Sequence, residues 1–175
     1  MTEPLHDVAL NLGSNLEPEV NLRLGIEKLR ALFGALELSP VYRSPAVGFD
    51  GPPFLNLAVR LQTLLSLEEL AQTLRDIELS GGRPADAQKF SSRTLDIDIV
   101  LFDDLVGVCS SASRQILLPR PDLCDYPHML KPMADLMPQA CHPTVGQSYE
   151  QLWEEMHKGL GANAQLCEVV LEGLT

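Results

Sequence analysis

Positive charge is the first thing this 175-residue chain is short of: 13 Lys and Arg stand against 24 Asp and Glu, a net charge of −11. That balance argues against a polyanionic nucleic-acid partner, whose phosphates call for a basic surface. Cysteine is sparse as well. Cys109, Cys124, Cys141 and Cys167 form no C-x-x-C pair, so reduced thiols are expected rather than disulfides. No His or Cys spacing matches a zinc site, and Pro127 interrupts the one close trio, Cys124, Asp125 and His128. Neither G-x-G-x-x-G nor G-x-x-x-x-G-K occurs, which leaves a dinucleotide fold and a P-loop unsupported. The apolar runs are far too short for a membrane span, and residues 1–12 carry no basic stretch leading into an apolar one. A cytoplasmic protein is expected. The remaining composition, 45% hydrophobic and 21% charged, is that of an ordinary globular chain, and residues 1–175 are expected to form one domain.

What is present centres on residues 92–102. Leu95, Ile97, Ile99 and Leu101 alternate with Thr94, Asp96, Asp98 and Val100, the period of a β-strand with Leu101 on the apolar face. The other face carries Asp96 and Asp98, with Cα atoms roughly 6.5 Å apart at the usual strand rise. Two carboxylates aimed the same way repel unless a positive charge lies between them. A hard divalent cation, Mg²⁺ above all, meets that need and can accept phosphate oxygens on its open positions. The few bases gather nearby, as Arg83, Lys89, Arg93, Arg114, Arg120 and Lys131, whereas residues 135–175 hold six acids and one base, Lys158.

In order, His6 to Leu12 reads as a strand, with Val8 and Leu10 on one face and Ala9 and Asn11 on the other. Gly13-Ser14-Asn15 turns into a helix with Pro18 in its first turn and Gly34 as its stop. Leu36 to Arg43 is a second strand, followed by a Pro- and Gly-rich loop over 44–53 and a third strand from Phe54 to Gln62. Ser66-Leu67-Glu68-Glu69 is a capping box opening a helix whose apolar face is Leu67, Leu70, Leu74 and Ile77. A polar loop over 83–92 leads back to the Asp strand. The order β-α-β-β-α-β predicts an α+β, ferredoxin-like split βαβ sandwich with extra C-terminal elements. These are a short strand at 105–109, a helix from Tyr149 to His157 and an edge strand from Leu166 to Leu171. Six prolines between 118 and 143 leave room there for short helical turns only.

Four blocks over residues 8–138 carry a family resemblance: Leu-Gly-Ser-Asn-Leu at 12–16; Val-Tyr-Arg-Ser-Pro at 41–45 with Phe-Leu-Asn at 54–56; Ile-Glu-Leu…Gly-Arg at 77–83; and Arg-Thr-Leu-Asp-Ile-Asp-Ile at 93–99. The chain resembles 6-hydroxymethyl-7,8-dihydropterin pyrophosphokinase, which moves a diphosphate from ATP to a pterin alcohol in folate synthesis. The resemblance implies that Asp96 and Asp98 hold two Mg²⁺ ions and that Arg83 and Arg93 act with them in catalysis. It places Ser44, Pro45, Val47, Phe54, Asn56 and His128 around the pterin. It assigns Glu78, Arg83, Lys89, Phe90, Arg93, Ile99, Arg120 and Tyr126 to ATP. ATP and the pterin alcohol are the expected partners, with other folate-pathway enzymes as candidate protein partners and neither nucleic acid nor membrane expected.

The chain departs from the family pattern at one segment. Where relatives read Pro-His-Pro-Arg, then an Arg and an aromatic, this chain has Pro119-Arg120-Pro121-Asp122, Tyr126 and His128. Losing a cation at 126 removes a contact worth roughly 1.5–3 kcal/mol. Ala85 and Ser91-Ser92 also depart from the loop pattern. These changes keep a second reading open, a pterin- or nucleotide-binding relative without turnover. A third, an RNA-binding module of the same topology, is opposed by the acidic charge and by the lack of an aromatic pair on the Asp strand or the first strand.

Overall fold

The computed structural model describes residues 4–82, 86, 88, 90–110, 114–161 and 165–174. Its framework is β1 (His6–Ser14), α1 (Pro18–Phe33), β2 (Glu37–Leu38), β3 (Val41–Ser44), β4 (Phe54–Thr63), α2 (Leu67–Ser80) and β5 (Asp96–Phe102). An antiparallel sheet runs in the order β5-β1-β4-β3, with β1 and β4 central and β2 also paired to β4. This is the split βαβ arrangement predicted from the element order. Local chemistry explains the helix bounds. Pro18 opens α1, and Gly34, at φ 76°, closes it by donating its N–H to the Arg30 carbonyl. The Ser66–Glu69 capping box that opens α2 is formed in both directions. The predicted second strand is split instead, because Ser39-Pro40 interrupts the ladder between β2 and β3.

One face of the sheet packs on α1 and α2. Leu10, Leu12, Leu57, Val59 and Ile97 meet Leu22, Ile26, Leu29, Leu70, Leu74 and Ile77 there. The opposite face is divided. Its far half, Ala9, Ala58, Val100 and Leu101, is covered by α3 (Pro127–Leu136) and α4 (Tyr149–Leu160) through Met129, Leu130, Met133, Ala134 and Tyr149. Its near half carries Asn11, Gly13, Phe54, Asn56, Asp96 and Asp98, and α3 leaves that half open as a cavity. The small side chains Ala9 and Ala58 let α3 come down on the sheet next to it.

Two expectations are overturned on this face. Leu101 does not share the apolar face of Ile97 and Ile99. Leu10 pairs with Ile99 and Ala9 with Leu101, so Val100 is an extra residue in a β-bulge, and both Val100 and Leu101 turn onto the α3 side. Residues 118–143 also hold more than short turns, since α3 is ten residues long. Pro127 sits in its first turn, where the missing N–H has no partner to lose. Pro132, inside the helix, forgoes one hydrogen bond, and burial of Met129, Leu130, Met133 and Ala134 holds the helix regardless. The Tyr42 hydroxyl donates to Asp135 at 2.6 Å, Lys131 pairs with Asp135 at 2.6 Å, and the Lys131 ammonium lies 5.7 Å and 5.6 Å from the Tyr42 and Trp153 ring centres. These contacts pin α3 between β3 and α4.

The C-terminal strand is β8 (Cys167–Val169), an antiparallel edge beside β3, where an edge strand is predicted. A separate hairpin of β6 (Gly107–Ser110) and β7 (Gln115–Leu118) leads through Pro119 to Arg120. Among the described residues, no helix is long and apolar enough to cross a membrane.

Candidate active site

Two cavities flank the open half of the sheet, and Asp98, Arg120 and Asp122 belong to the walls of both. The first, about 220 Å³, lies between α2 and β7, with Arg75, Glu78, Ile99, Arg114 and Leu117 in its walls. The second, about 170 Å³, lies over the sheet face, beneath the loop over 45–53 and the segment around Phe90.

The second cavity brings together Ser44, Pro45, Val47, Phe54, Asn56 and His128, the six residues the sequence assigns to the pterin. Asn56 is 4% exposed and donates from Nδ2 to Ser44 Oγ at 3.1 Å, so two neighbouring strands fix its amide. The His128 and Tyr126 rings stack at 5.3 Å and 29°. Burial takes the His128 imidazolium from its ordinary 6.5 down to about 4, with Asp122 pulling the other way and Arg120 adding to the fall. The ring is therefore neutral at pH 7, a flat polar plate suited to a flat heterocycle.

That shift fixes a pH dependence. The unfolded chain takes up the proton first, so stability is fully present above 6.5 and is lost as pH falls toward 4. Between those limits the native protein is expected to lose about 1–3 kcal/mol more than its His128→Phe variant. Urea unfolding of both at pH 7.5 and 4.5 measures the difference, and equal losses contradict it.

Of the residues the sequence assigns to ATP, Glu78, Ile99 and Arg120 line the first cavity, whereas Phe90, Arg93 and Tyr126 line the second. Arg83 and Lys89 lie outside the described residues. Glu78 is buried, and its Oε1 accepts the Ile97 N–H at 2.7 Å. It thereby holds β5 in place at the residue between the two aspartates. The Arg93 guanidinium donates to the Gln88 carbonyl, while its Nη1 is buried without a hydrogen-bond partner among the described residues. Phe90 closes against Gly48, where a Cβ would lie 3.1 Å from the ring.

Asp96 and Asp98 both face the second cavity. Burial raises the Asp98 carboxyl above the usual carboxylate range and the neighbouring Asp96 adds to the rise, while Arg120 and Arg114 oppose it. The register sets Asn11 opposite Asp98 and Gly13 opposite Asp96. Asn11 is 7% exposed, and its Oδ1, in the same cavity wall, is buried without a hydrogen-bond partner among the described residues. Two carboxylates and an orphaned amide oxygen are hard donors of the kind a small divalent cation prefers. Among the described residues, no group of three or more His, Cys, Asp or Glu side chains is poised to hold a metal ion. An ion held by the two carboxylates has further positions that water or phosphate oxygens can fill.

Sequence reading did not single out Asn11 or Asn15. Asn15 is 3% exposed and accepts the Arg93 N–H at 2.7 Å through Oδ1, while Nδ2 donates to the Pro52 carbonyl at 3.1 Å and to Ser92 Oγ at 3.2 Å. The Asn15 and Leu16 N–H groups return bonds to the Arg93 carbonyl at 3.1 and 3.2 Å. One turn thus ties both loops of the second cavity together. Asn15→Ala is expected to lower stability by about 1–3 kcal/mol and to raise KM for the ligands of this site. Urea unfolding and steady-state kinetics check it; an unchanged KM contradicts the tie.

The sequence pattern of the 7,8-dihydro-6-hydroxymethylpterin-pyrophosphokinase (HPPK) family matches residues 9–138. A Synechocystis 2-amino-4-hydroxy-6-hydroxymethyldihydropteridine pyrophosphokinase is 34% identical over 155 residues, covering 86% of this chain and 76% of the relative. A relative of the same description from Pseudomonas aeruginosa is 36% identical over 142 residues, 75% of this chain and 80% of the relative. The fold matches a Plasmodium falciparum HPPK-DHPS crystal structure with a TM-score of 0.74 at 11% identity, over 91% of this chain. This chain spans 46% of that longer one.

Proposed function

The chain belongs to the 7,8-dihydro-6-hydroxymethylpterin-pyrophosphokinase family, and we propose that it performs the family's reaction where its two cavities meet. It transfers a diphosphate group from ATP to the hydroxymethyl oxygen of 6-hydroxymethyl-7,8-dihydropterin, giving AMP and the pterin diphosphate in folate synthesis. The observation that carries this reading is the shared wall. A two-substrate transfer needs two ligand cavities that communicate at a charged boundary, and Asp98, Arg120 and Asp122 line both.

In this reading the pterin lies in the second cavity, its ring against His128 and Tyr126 and its amide edge on Asn56. The nucleoside takes the first cavity, between Ile99, Leu117 and Arg114, so that the phosphates run toward Asp98. Arg93, in the wall of the second cavity beside Asp96 and Asp98, brings a permanent charge to that path. Asp96 and Asp98, with Asn11 Oδ1 beside them, hold Mg²⁺, two ions being expected. When bound, Mg²⁺ supplies charge neutralisation along the phosphate chain. The pterin hydroxyl oxygen attacks the β-phosphorus and its proton passes to solvent, while the bond between the β-phosphorus and the α–β bridging oxygen breaks and that oxygen departs with AMP. Phe90 against Gly48 narrows the mouth of the pterin cavity, which favours the alcohol over water as the nucleophile. A single domain over residues 1–175, a cytoplasmic location and contacts with other folate-pathway enzymes are part of the proposal, and the HPPK-DHPS relative supports the last of these.

The test is the nucleotide product. ATP, Mg²⁺ and the pterin alcohol are expected to yield AMP in equal amount with pterin diphosphate. Formation of ADP, or of AMP without the pterin, contradicts the reading.

A further inference from the structure

Arg120 holds an unusual position for a residue at a cation site. Its Nη1 lies 2.8 Å from Asp98 Oδ1, Nη2 donates to Asp122 Oδ2 at 3.1 Å, and Nε is 2.7 Å from Asp122 Oδ1. One guanidinium therefore spans two carboxylates. Its backbone is fixed too, since the Arg120 N–H donates at 3.0 Å to the carbonyl of Val100, the extra residue of the β5 bulge. The bulge turns that carbonyl out to receive Arg120 two residues beyond Asp98. The side chains of Arg120 and Asp98 are 28% and 14% exposed, so their pairing is shielded from the solvent that weakens surface ion pairs. Both Arg120 and Asp122 stand where the family segment carries other residues.

We propose that Arg120, positioned by Asp122, is a resident counter-cation of Asp98 that competes with the divalent ion for this carboxylate. The inference rests on the reading of Asp96 and Asp98 as the cation site. In the substrate-free protein the guanidinium takes Oδ1 of Asp98, and a divalent ion gains that oxygen only by displacing it. Asp122 strengthens the competitor, because a guanidinium already oriented by one carboxylate loses less freedom in meeting the second. Once displaced from Asp98, the guanidinium stays beside the phosphate path on Asp122. Arg120 is then a phosphate-binding group only when the cation has arrived, and Asp122 is its positioning residue.

The experiment is titration of the full chain with Mn²⁺ alone, without nucleotide, by calorimetry. Arg120→Gln is expected to tighten Mn²⁺ binding by about ten- to a hundred-fold. That gain should vanish in an Asp98→Asn background. Asp122→Asn is expected to tighten binding too, by less. Charge counting alone predicts the opposite for Asp122→Asn, because an acid is removed from the site. Unchanged or weaker Mn²⁺ binding in Arg120→Gln, or weaker binding in Asp122→Asn, overturns the proposal. Thermal melts of each variant verify that it is folded. If the native chain makes AMP and these affinities do not move, only the competition is wrong. If it makes no AMP and Asp98→Asn leaves Mn²⁺ binding unaltered, the cation site itself is wrong.

Discussion

Asp98→Asn is expected to lower kcat for AMP formation by at least about 100-fold while leaving the melting temperature no lower than the parent's. The two halves of that result have one origin. Asp98 is largely shielded from solvent beside Asp96, and both that desolvation and the like charge disfavour its ionised form. A neutral amide of the same shape relieves that strain and sacrifices only the ion pair with Arg120. Turnover depends on the very charge that the fold tolerates poorly. Only the negative charge draws a divalent ion and, through it, the triphosphate. Initial-rate assays and thermal denaturation check the two halves separately. A variant within tenfold of the parent's kcat removes Asp98 from the chemistry, and a large fall in melting temperature makes its role structural.

Gly13→Ala is expected to raise KM for the pterin alcohol by about ten- to a hundred-fold, with a smaller effect on KM for ATP. A Cβ on Gly13 would lie 2.8 Å from Asn56 Oδ1. The Asn56 amide cannot simply rotate away, because it is buried and bonded to Ser44 Oγ across β3 and β4. The added methyl must therefore push the amide off the position from which, in the proposed reading, it meets the pterin edge. Backbone strain is not the cause here, since Gly13 lies within the extended strand β1. Steady-state kinetics with each substrate varied in turn separates the two KM values. Equal rises in both would instead mean that the whole strand has shifted.

The sheet and the first two helices were legible because their signals are local. Alternation marks β1, β4 and β5, Pro18 and Gly34 bracket α1, and the Ser66 box opens α2. The six residues assigned to the pterin came from the family resemblance, and the fold brings all six into the wall of one cavity. What escaped depends on contacts distant in the chain. The β5 bulge is hidden because apolar alternation continues through Leu101, and only pairing with β1 shows that Val100 is extra. The length of α3 is hidden because a count of prolines says nothing about where in a helix each one falls. Asn15 looks like a turn residue until Pro52, Ser92 and Arg93 are seen around it. Asn11 shows its place only once Asp98 lies opposite it. The resemblance assigns Arg120 to ATP, and only the fold shows it set between Asp98 and Asp122.

In the proposed reading Asp96 and Asp98 stand where a diphosphate passes between two substrates held in two cavities. The decisive experiment is a crystal structure with Mg²⁺, a non-hydrolysable ATP analogue and the pterin alcohol. The predicted result has the pterin between Asn56 and His128, the nucleoside between α2 and β7 beside Arg114, and the metal on Asp96 and Asp98 between them. A nucleoside seated in the Asn56 cavity, or phosphates that do not reach Asp98, would contradict it.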